Sequence, residues 1–236
     1  MDLSIRSTLD ELMDGPDISA ADYAQCLADL EQVNRITLTH RPTLHWLARA
    51  IQRIPSSTPV SIFDVAYGHG DLLRALHHWG TSNGRALTLA GVDLNPRSAL
   101  AARAASLATN AAGMQIDYQT GDVFAATPRP RPDFIISSQF THHLDDVQAV
   151  EFVRWMELNC TRGWYVSDLQ RHAISYYTFR WLARLAGWHR IVRYDGTVSI
   201  ARSFRLAEWR ALLQRTGVDA EVRWHMPFRL GIGRLK

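Results

Sequence analysis

Residues 61 to 73 read Ser61-Ile62-Phe63-Asp64-Val65-Ala66-Tyr67-Gly68-His69-Gly70-Asp71-Leu72-Leu73. The first half is rich in β-branched and aromatic residues, which predicts a strand, and helical spacing resumes after two glycines. Gly68 and Gly70 lack a Cβ atom, so the backbone there can take a positive φ and approach a ligand closely. The amides that open the following helix can donate hydrogen bonds to that ligand. This stretch therefore predicts a strand, a ligand-binding turn and a helix.

Two later strands also end at an acidic residue. The run from Ala86 ends at Asp93, about 20 residues beyond the glycines, where a carboxylate can accept both hydroxyls of a ribose. The run from Ile116 ends at Gly121 and Asp122, where a loop can hold adenine by its edge. Glycines, ribose carboxylate and adenine loop follow one another in the order that a nucleoside-binding α/β domain requires. They point to S-adenosylmethionine as the ligand.

The same residues resemble the motifs of class I S-adenosylmethionine-dependent methyltransferases. The segment from Asp64 to Gly70 matches motif I, with Ala66 in place of its first glycine. The resemblance spans roughly residues 60 to 170 and implies that the motif I glycines border the methionine moiety. It implies a cofactor site formed by Asp64, Ala66, Tyr67, Gly68, Gly70, Asp93, Leu94, Gly121, Asp122, Val123 and Ser138.

A nicotinamide-binding Rossmann domain is the structural alternative, because it also places glycines after its first strand and an acid after its second. When G-x-G-x-x-G is read from Gly68, Leu73 falls at the third glycine position. The dinucleotide pattern therefore fits less well than the methyltransferase pattern.

The alternation of strands and helices predicts an α/β fold: a Rossmann-like, seven-stranded, mostly parallel sheet with helices on both faces. Residues 219–225 and 229–234 read as a hairpin that contributes an antiparallel C-terminal strand. Residues 1–55 are predicted to be an N-terminal helical lid, and Asn34 and His40 are site candidates within it, although packing on the sheet explains the segment equally well. Residues 56–236 form the predicted methyltransferase domain, with a substrate insertion around 170–203.

Four residues that follow the fourth and fifth strands are the predicted catalytic groups. His142 and His143 lie where strand ends form a ligand crevice, and histidine, with an ordinary pKa of about 6.5, can take a proton from a hydroxyl. They could equally line the pocket or cap the next helix. Arg171 and His172 could bind an acidic or phenolic acceptor, with Asp168 holding one of them in place. Alternatively, Asp168 and Arg171 form a structural ion pair.

The predicted insertion is aromatic, which suits a flat or lipid-like small-molecule acceptor. Ordinary core packing and a peripheral membrane contact are the alternatives. The residues concerned are Tyr176, Tyr177, Phe179, Trp181, Leu182, Leu185 and Trp188.

The composition of the chain limits the classes of partner that we expect it to bind. The net charge of +3 is small and the arginines are scattered among apolar positions, which argues against a nucleic-acid partner. The N-terminus has no long apolar run, so we expect neither a signal peptide nor a transmembrane helix, and a cytoplasmic protein. Cys26 and Cys160 do not suggest a metal site, and the sequence shows no metal-ligand pattern, so no metal is predicted. A homodimer is left open.

The arrangement of the motifs also resembles that of bacterial methyltransferases associated with polyketide and other secondary-metabolite pathways. It implies O-methylation of a phenolic, quinone-like or polyketide acceptor, with a histidine as general base. An RNA methyltransferase and a non-catalytic S-adenosylmethionine-binding module are the alternatives. Ser137-Ser138-Gln139-Phe140 stands where enzymes that methylate the exocyclic amines of bases have an Asn-Pro-Pro-Tyr tetrad. The acceptor, its regiochemistry and the choice between O-, C- and N-methylation stay open.

Overall fold

A computed structural model describes residues 2–15, 17–109 and 113–236. These residues form one seven-stranded sheet with helices on both faces. The strands are β1 Val60–Val65, β2 Leu87–Asp93, β3 Ile116–Thr120, β4 Phe134–Ser138, β5 Gly163–Leu169, β6 Glu221–His225 and β7 Arg229–Leu235. The helices are α1 Ala20–Ile36, α2 Arg41–Ile51, α3 Asp71–Ser82, α4 Pro96–Ala108, α5 Asp146–Asn159, α6 Ala173–Leu185, α7 Arg190–Arg202 and α8 Leu206–Thr216.

The strand order is β3-β2-β1-β4-β5-β7-β6. Strands β1 to β5 pair in parallel, whereas β7 pairs antiparallel with both β5 and β6. This confirms the predicted fold class, including the C-terminal hairpin. A dinucleotide-binding Rossmann sheet would instead continue from β5 with a sixth parallel strand. The chain order reverses between β1 and β4, so the ligand crevice is expected at the carboxyl ends of these two strands.

Each face of the sheet packs against its own helices. Helices α5 and α8 cover one face, where Phe152 and Trp209 are fully buried. Helices α2 and α3 lie on the other face, where Leu47 and Leu73 are fully buried. Apolar burial of this kind contributes about 1.5–3 kcal/mol for each large side chain. These two cores hold the strand ends in fixed positions.

The N-terminal part of the chain makes three different contacts with the sheet and its helices. Residues 2–15 run along α7, where the carboxylate of Asp195 accepts hydrogen bonds from the amides of Leu12 and Met13. Helix α1 packs against α4 and α7 and ends over the turn that follows β1. Helix α2 packs on the sheet itself. Asn34 of α1, Glu11 of the N-terminal segment and His40 just before α2 all reach loops at the strand ends, and the helical lid stays a prediction.

The predicted insertion forms α6 and α7, which pack together against α1. Trp188 and Ile191 are buried at this contact. The opposite side of α6 exposes four apolar side chains, Ile174, Tyr177, Trp181 and Leu185. Among the described residues, we find no helix with the length and apolar character needed to cross a membrane.

Candidate active site

The turn after β1 has three left-handed positions at alternate residues. The φ angles are +60° at Ala66, +54° at Gly68 and +72° at Gly70. A Cβ atom on Gly70 would lie 2.6 Å from the Tyr118 hydroxyl oxygen, so this glycine is required by packing. A Cβ atom on Gly68 would meet no atom of the described residues within 4 Å, so this glycine borders open space. The turn can therefore admit a ligand close to the backbone at Gly68.

The carboxylate of Asp93 joins the ends of neighbouring strands. Its Oδ2 atom accepts a hydrogen bond from the Gly68 amide at 2.9 Å, and its Oδ1 atom accepts one from Asn95 at 2.9 Å. The Gly121 amide donates to the Asp93 carbonyl at 2.9 Å, which ties the end of β3 to the end of β2. Leu94 is 74% exposed beside this carboxylate. The arrangement offers a polar edge to a ribose and an apolar surface to a base.

The remaining residues of the predicted cofactor site lie along the same edge. Tyr67 is buried and donates from its hydroxyl to the Gln119 carbonyl. Asp122 accepts from the Phe124 amide, and Val123 is buried next to it. The eleven predicted residues therefore follow the carboxyl ends of β1, β2, β3 and β4.

Two buried polar atoms at the ends of β1 and β4 have no hydrogen-bond partner among the described residues. They are Asp64 Oδ1 and Ser138 Oγ. Burial, with the nearby charges of Asp71 and Asp93, raises the pKa of Asp64 well above its ordinary value. Unpaired buried oxygens are costly, and a ligand that brought an ammonium group would satisfy them.

A hydrogen-bonded network crosses the point between β1 and β4 where the strand order reverses. Asp71 Oδ2 lies 2.8 Å from Asn34 Nδ2 and 2.8 Å from His40 Nε2. Asn34 in turn accepts from the Gln139 side chain at 2.7 Å. Although burial acts to raise it, the hydrogen bonds from His40 and Asn34 lower the pKa of Asp71 to about 2.

This network ends at the buried guanidinium of Arg229. It donates to the hydroxyls of Thr39 at 2.6 Å and Thr37 at 3.0 Å, and to Gln139 at 3.4 Å. In the described part of the chain no carboxylate pairs with it, and its Nε atom has no partner. Burial lowers the pKa of Arg229 to about 10. The guanidinium is thus a buried positive charge close to the strand ends, without a carboxylate at ion-pair distance among the described residues and with Asp168 as the opposite charge that acts on it.

A cavity of about 420 Å³ opens beside the network between α1, α2 and α3. Asn34 and His40 contribute polar groups to it, and most of the other lining is apolar. This volume is within the usual range for small-molecule sites. The lining residues are Asn34, Arg35, Leu38, His40, Arg41, Leu44, His45, Ala48 and Trp79.

The similarity of this chain to known proteins is detected in its structure and not in its sequence. No protein-family model matches the chain, and no curated protein matches its sequence. Solved methyltransferases superpose on it at low sequence identity. The chain has the fold of the S-adenosylmethionine-dependent methyltransferases. This fold places the crevice at the strand ends where the site was found.

Three of these solved structures illustrate the likeness. The plantazolicin methyltransferase BamL, in complex with a desmethylplantazolicin analogue and S-adenosylhomocysteine, has a TM-score of 0.64 and 12% identity, over 92% of this chain and 96% of that one. Magnesium protoporphyrin IX methyltransferase from Synechocystis, with bound S-adenosylhomocysteine, has a TM-score of 0.56 and 14% identity, over 84% of both chains. An O-methyltransferase family 2 protein from Planctomyces limnophilus, in complex with apigenin, has a TM-score of 0.55 and 18% identity; 78% of this chain covers 51% of that protein.

Within this methyltransferase fold, His142 is enclosed by carboxylates. Its Nδ1 atom lies 2.8 Å from Asp168 Oδ1, and its Nε2 atom lies 3.5 Å from Glu11 Oε1. Burial acts to lower the pKa of His142, but these two carboxylates raise it to about 10, while the pKa of Asp168 falls to about 2. This environment favours retention of the proton and does not suit a general base near neutral pH.

The other three predicted catalytic residues have different surroundings. The half-buried His143 ring lies beside that of His142, with its centroid 4.4 Å away. Arg171 is fully buried and donates to Ser203 and Glu208, so its ion pair is with Glu208 rather than with Asp168. His172 accepts from the Ile174 amide at the start of α6. The structure therefore does not bring these groups to the network at the end of β1.

Sequence analysis did not identify Gln139 and Arg229 as site residues. Gln139 directly follows β4, in the loop that sequence analysis placed at the ligand crevice, so its position could have been inferred. Arg229 begins β7 and pairs in register with Leu169 at the end of β5. Only the antiparallel placement of β7 brings its side chain to the site.

Proposed function

We propose that the protein transfers a methyl group from S-adenosylmethionine to a hydroxyl oxygen of a small aromatic, quinone-like or polyketide acceptor. The observation that carries this proposal is the Gly68–Asp93 hydrogen bond beside open space, at the strand ends of a methyltransferase fold. It supplies a ribose-binding carboxylate next to a turn that a ligand can approach.

The residues at the strand ends fit the cofactor group by group. The second lone pairs of the Asp93 carboxylate accept the ribose hydroxyls, and the exposed Leu94 side chain covers the adenine. Asp64 Oδ1 and Ser138 Oγ, which are unpartnered within the described chain, accept from the ammonium of the methionine moiety. S-adenosylmethionine supplies a sulfonium methyl group, which is open to attack by an oxygen nucleophile.

The cavity beside the network accommodates the acceptor. Its apolar lining, including Leu38, Leu44 and Trp79, suits a flat ring, and Asn34 and His40 can bind a hydroxyl. The solved complex of an O-methyltransferase with apigenin is consistent with an aromatic acceptor. Correct positioning of two reactants can lower a barrier by roughly 7 to 11 kcal/mol, so the cavity walls supply most of the rate enhancement.

His40 is the proposed general base. Its Nε2 atom donates to Asp71 at 2.8 Å, and this bond fixes the tautomer with a lone pair on Nδ1. The Nδ1 atom is buried and has no partner among the described residues, so it is the nitrogen that would accept the hydroxyl proton from an acceptor that enters beside the ring. Gln139 connects the same network to the Arg229 guanidinium, whose charge favours an anionic acceptor oxygen. His142 and His143, the bases expected from sequence, have a carboxylate beside both ring nitrogens, whereas the described residues place one beside Nε2 of His40 and none beside its Nδ1.

The test is a methyl-transfer assay with labelled S-adenosylmethionine on a panel of phenols, hydroxyquinones and hydroxylated polyketides. With a turned-over acceptor, His40→Ala is expected to lower kcat about 10²-fold or more, while S-adenosylhomocysteine affinity stays within about twofold. His143→Ala is the matched control and is expected to retain wild-type kcat. Equal rates for both variants would remove His40 as the base. Cofactor binding without turnover of any acceptor would favour a non-catalytic binding module.

A further inference from the structure

Glu11 and the adjacent residues His142 and His143, which are remote from it in sequence, converge outside the network described above. Glu11 belongs to the N-terminal segment, and His142 and His143 belong to the turn after β4. One potential ligand atom from each lies within 4.8 Å of the others. Glu11 Oε1 is 3.5 Å from His142 Nε2 and 3.8 Å from His143 Nε2. We propose that this Glu11–His142–His143 cluster binds a divalent transition-metal ion of the Zn²⁺ type.

The distances within the cluster are close to those of a metal site. Bonds of 2.0–2.2 Å to a tetrahedral Zn²⁺ ion place neighbouring ligand atoms about 3.3–3.6 Å apart. Small side-chain rotations would bring all three atoms to bonding distance. Three protein ligands leave the fourth coordination position for water or another oxygen donor. The N₂O donor set suits Zn²⁺, Co²⁺ or Fe²⁺ better than Mg²⁺, which prefers oxygen ligands only.

A carboxylate beside Nδ1 of each histidine ring orients both rings in the same way. His142 Nδ1 lies 2.8 Å from Asp168 and His143 Nδ1 lies 3.3 Å from Asp14, so each ring has a carboxylate on Nδ1. Each ring can therefore keep its proton on Nδ1 and turn the Nε2 lone pair towards Glu11. Carboxylate–histidine pairs of this kind orient the ligands of metal sites.

Glu11 and the histidine turn are also held rigidly. Glu11 Oε1 accepts a hydrogen bond from the Ser199 hydroxyl at 2.7 Å. Arg6 and Arg202 donate to the carbonyl of His142, and Arg202 also donates to that of His143. His142 is 3% exposed, so water does not compete freely for its nitrogen. A cation at this position would replace the proton on His142 Nε2 and would tie residues 2–15 to the turn after β4.

The test uses untagged protein that has been stripped with a chelator and titrated with Zn²⁺ by calorimetry and with Co²⁺ by visible absorption. We expect one Zn²⁺ per chain and intense Co²⁺ d–d bands typical of tetrahedral coordination. At a free Zn²⁺ concentration of about 100 times Kd, Tm should rise by roughly 5 to 10 °C. Excess Mg²⁺ should not compete.

Glu11→Gln and His143→Ala are expected to weaken Zn²⁺ binding at least about tenfold and to abolish the Co²⁺ bands. Glu31→Gln is the matched control. Glu31 also contacts a histidine, His69, at 2.6 Å, but that pair has no second histidine. The control should bind Zn²⁺ as the wild type does. The absence of saturable Zn²⁺ binding in the wild type, or equal binding in Glu11→Gln, would overturn the proposal. Neither readout depends on methyl transfer.

Discussion

Replacement of Gly68 by alanine tests two effects that can be measured separately: contact with the ligand changes the binding affinity, and backbone strain changes the stability. Gly68 has a φ of +54°, and a left-handed alanine costs about 1–2 kcal/mol. Alanine also restricts the unfolded chain more than glycine does, which offsets about 0.4–1 kcal/mol of this cost. Because the new methyl group would meet no protein atom within 4 Å, no steric penalty is added. The expected loss of stability is therefore about 1 kcal/mol, or a Tm lower by roughly 2–4 °C.

Cofactor affinity should fall by more than stability does. The methyl group of Gly68→Ala would occupy the open space that the proposal assigns to S-adenosylmethionine. We expect S-adenosylhomocysteine to bind at least about tenfold more weakly, which corresponds to about 1.4 kcal/mol. Calorimetry at a temperature well below Tm measures this affinity on folded protein, and a thermal melt measures the stability.

Gly70→Ala is the matched control, because it makes the same change two residues away at a φ of +72°. Here the methyl group would lie 2.6 Å from the Tyr118 hydroxyl oxygen, which is also hydrogen-bonded to Ser106. Overpacking adds about 1–3 kcal/mol to the strain, so Tm should fall by roughly twice as much as in Gly68→Ala, or more. Wild-type affinity in Gly68→Ala, together with equal stability losses in the two variants, would refute the reasoning.

Three further predictions concern the same edge of the sheet. Ala66→Gly should raise Tm by about 1–2 °C in a thermal melt, because it relieves a left-handed alanine; a lower Tm would contradict this. The wild type should lose stability in urea titrations as pH rises through the raised pKa of Asp64, since ionisation of the buried carboxyl disfavours the folded state. The Asp64→Asn variant should not show this loss. Arg229→Met should slow turnover in the labelled methyl-transfer assay, because it removes the positive charge that the proposal assigns to stabilising an anionic acceptor oxygen, whereas S-adenosylhomocysteine affinity should stay near the wild-type value. Wild-type turnover in Arg229→Met, or an unchanged pH slope in Asp64→Asn, would count against these explanations.

The shared position of the predicted cofactor-site residues at one edge of the sheet could be inferred from sequence because the signals are local. Asp64 and Asp93 each end a run of strand-forming residues, and Gly68 and Gly70 interrupt the pattern between strand and helix. Parallel strands joined by right-handed crossovers bring their carboxyl ends to one edge. Knowledge of the strands was therefore sufficient to place these residues together.

The network and the histidine cluster could not be predicted in the same way. Gln139 meets Arg229 only because β7 inserts antiparallel beside β5. Glu11 reaches His142 only because the N-terminal segment runs back along α7. In both cases the partners are far apart in sequence and no periodic pattern links them.

The Asp168–Arg171 ion pair, one of the two alternatives considered from sequence, shows the same limit at short range. Only two residues separate them, yet Asp168 binds His142 and Arg171 binds Glu208. Asp168 points from the end of β5 to the neighbouring turn, whereas the Arg171 side chain turns towards the start of α8. Spacing alone does not determine the direction of a side chain that follows a strand end.

Calorimetric titration of the purified protein with S-adenosylhomocysteine, with NADH as the control ligand, tests the central claim most directly. The account predicts one site with micromolar affinity for S-adenosylhomocysteine, no binding of NADH, and a marked loss of affinity in Asp93→Ala. Absence of binding to S-adenosylhomocysteine, or binding of NADH in its place, would contradict the assignment of the strand ends as a methyl-donor site.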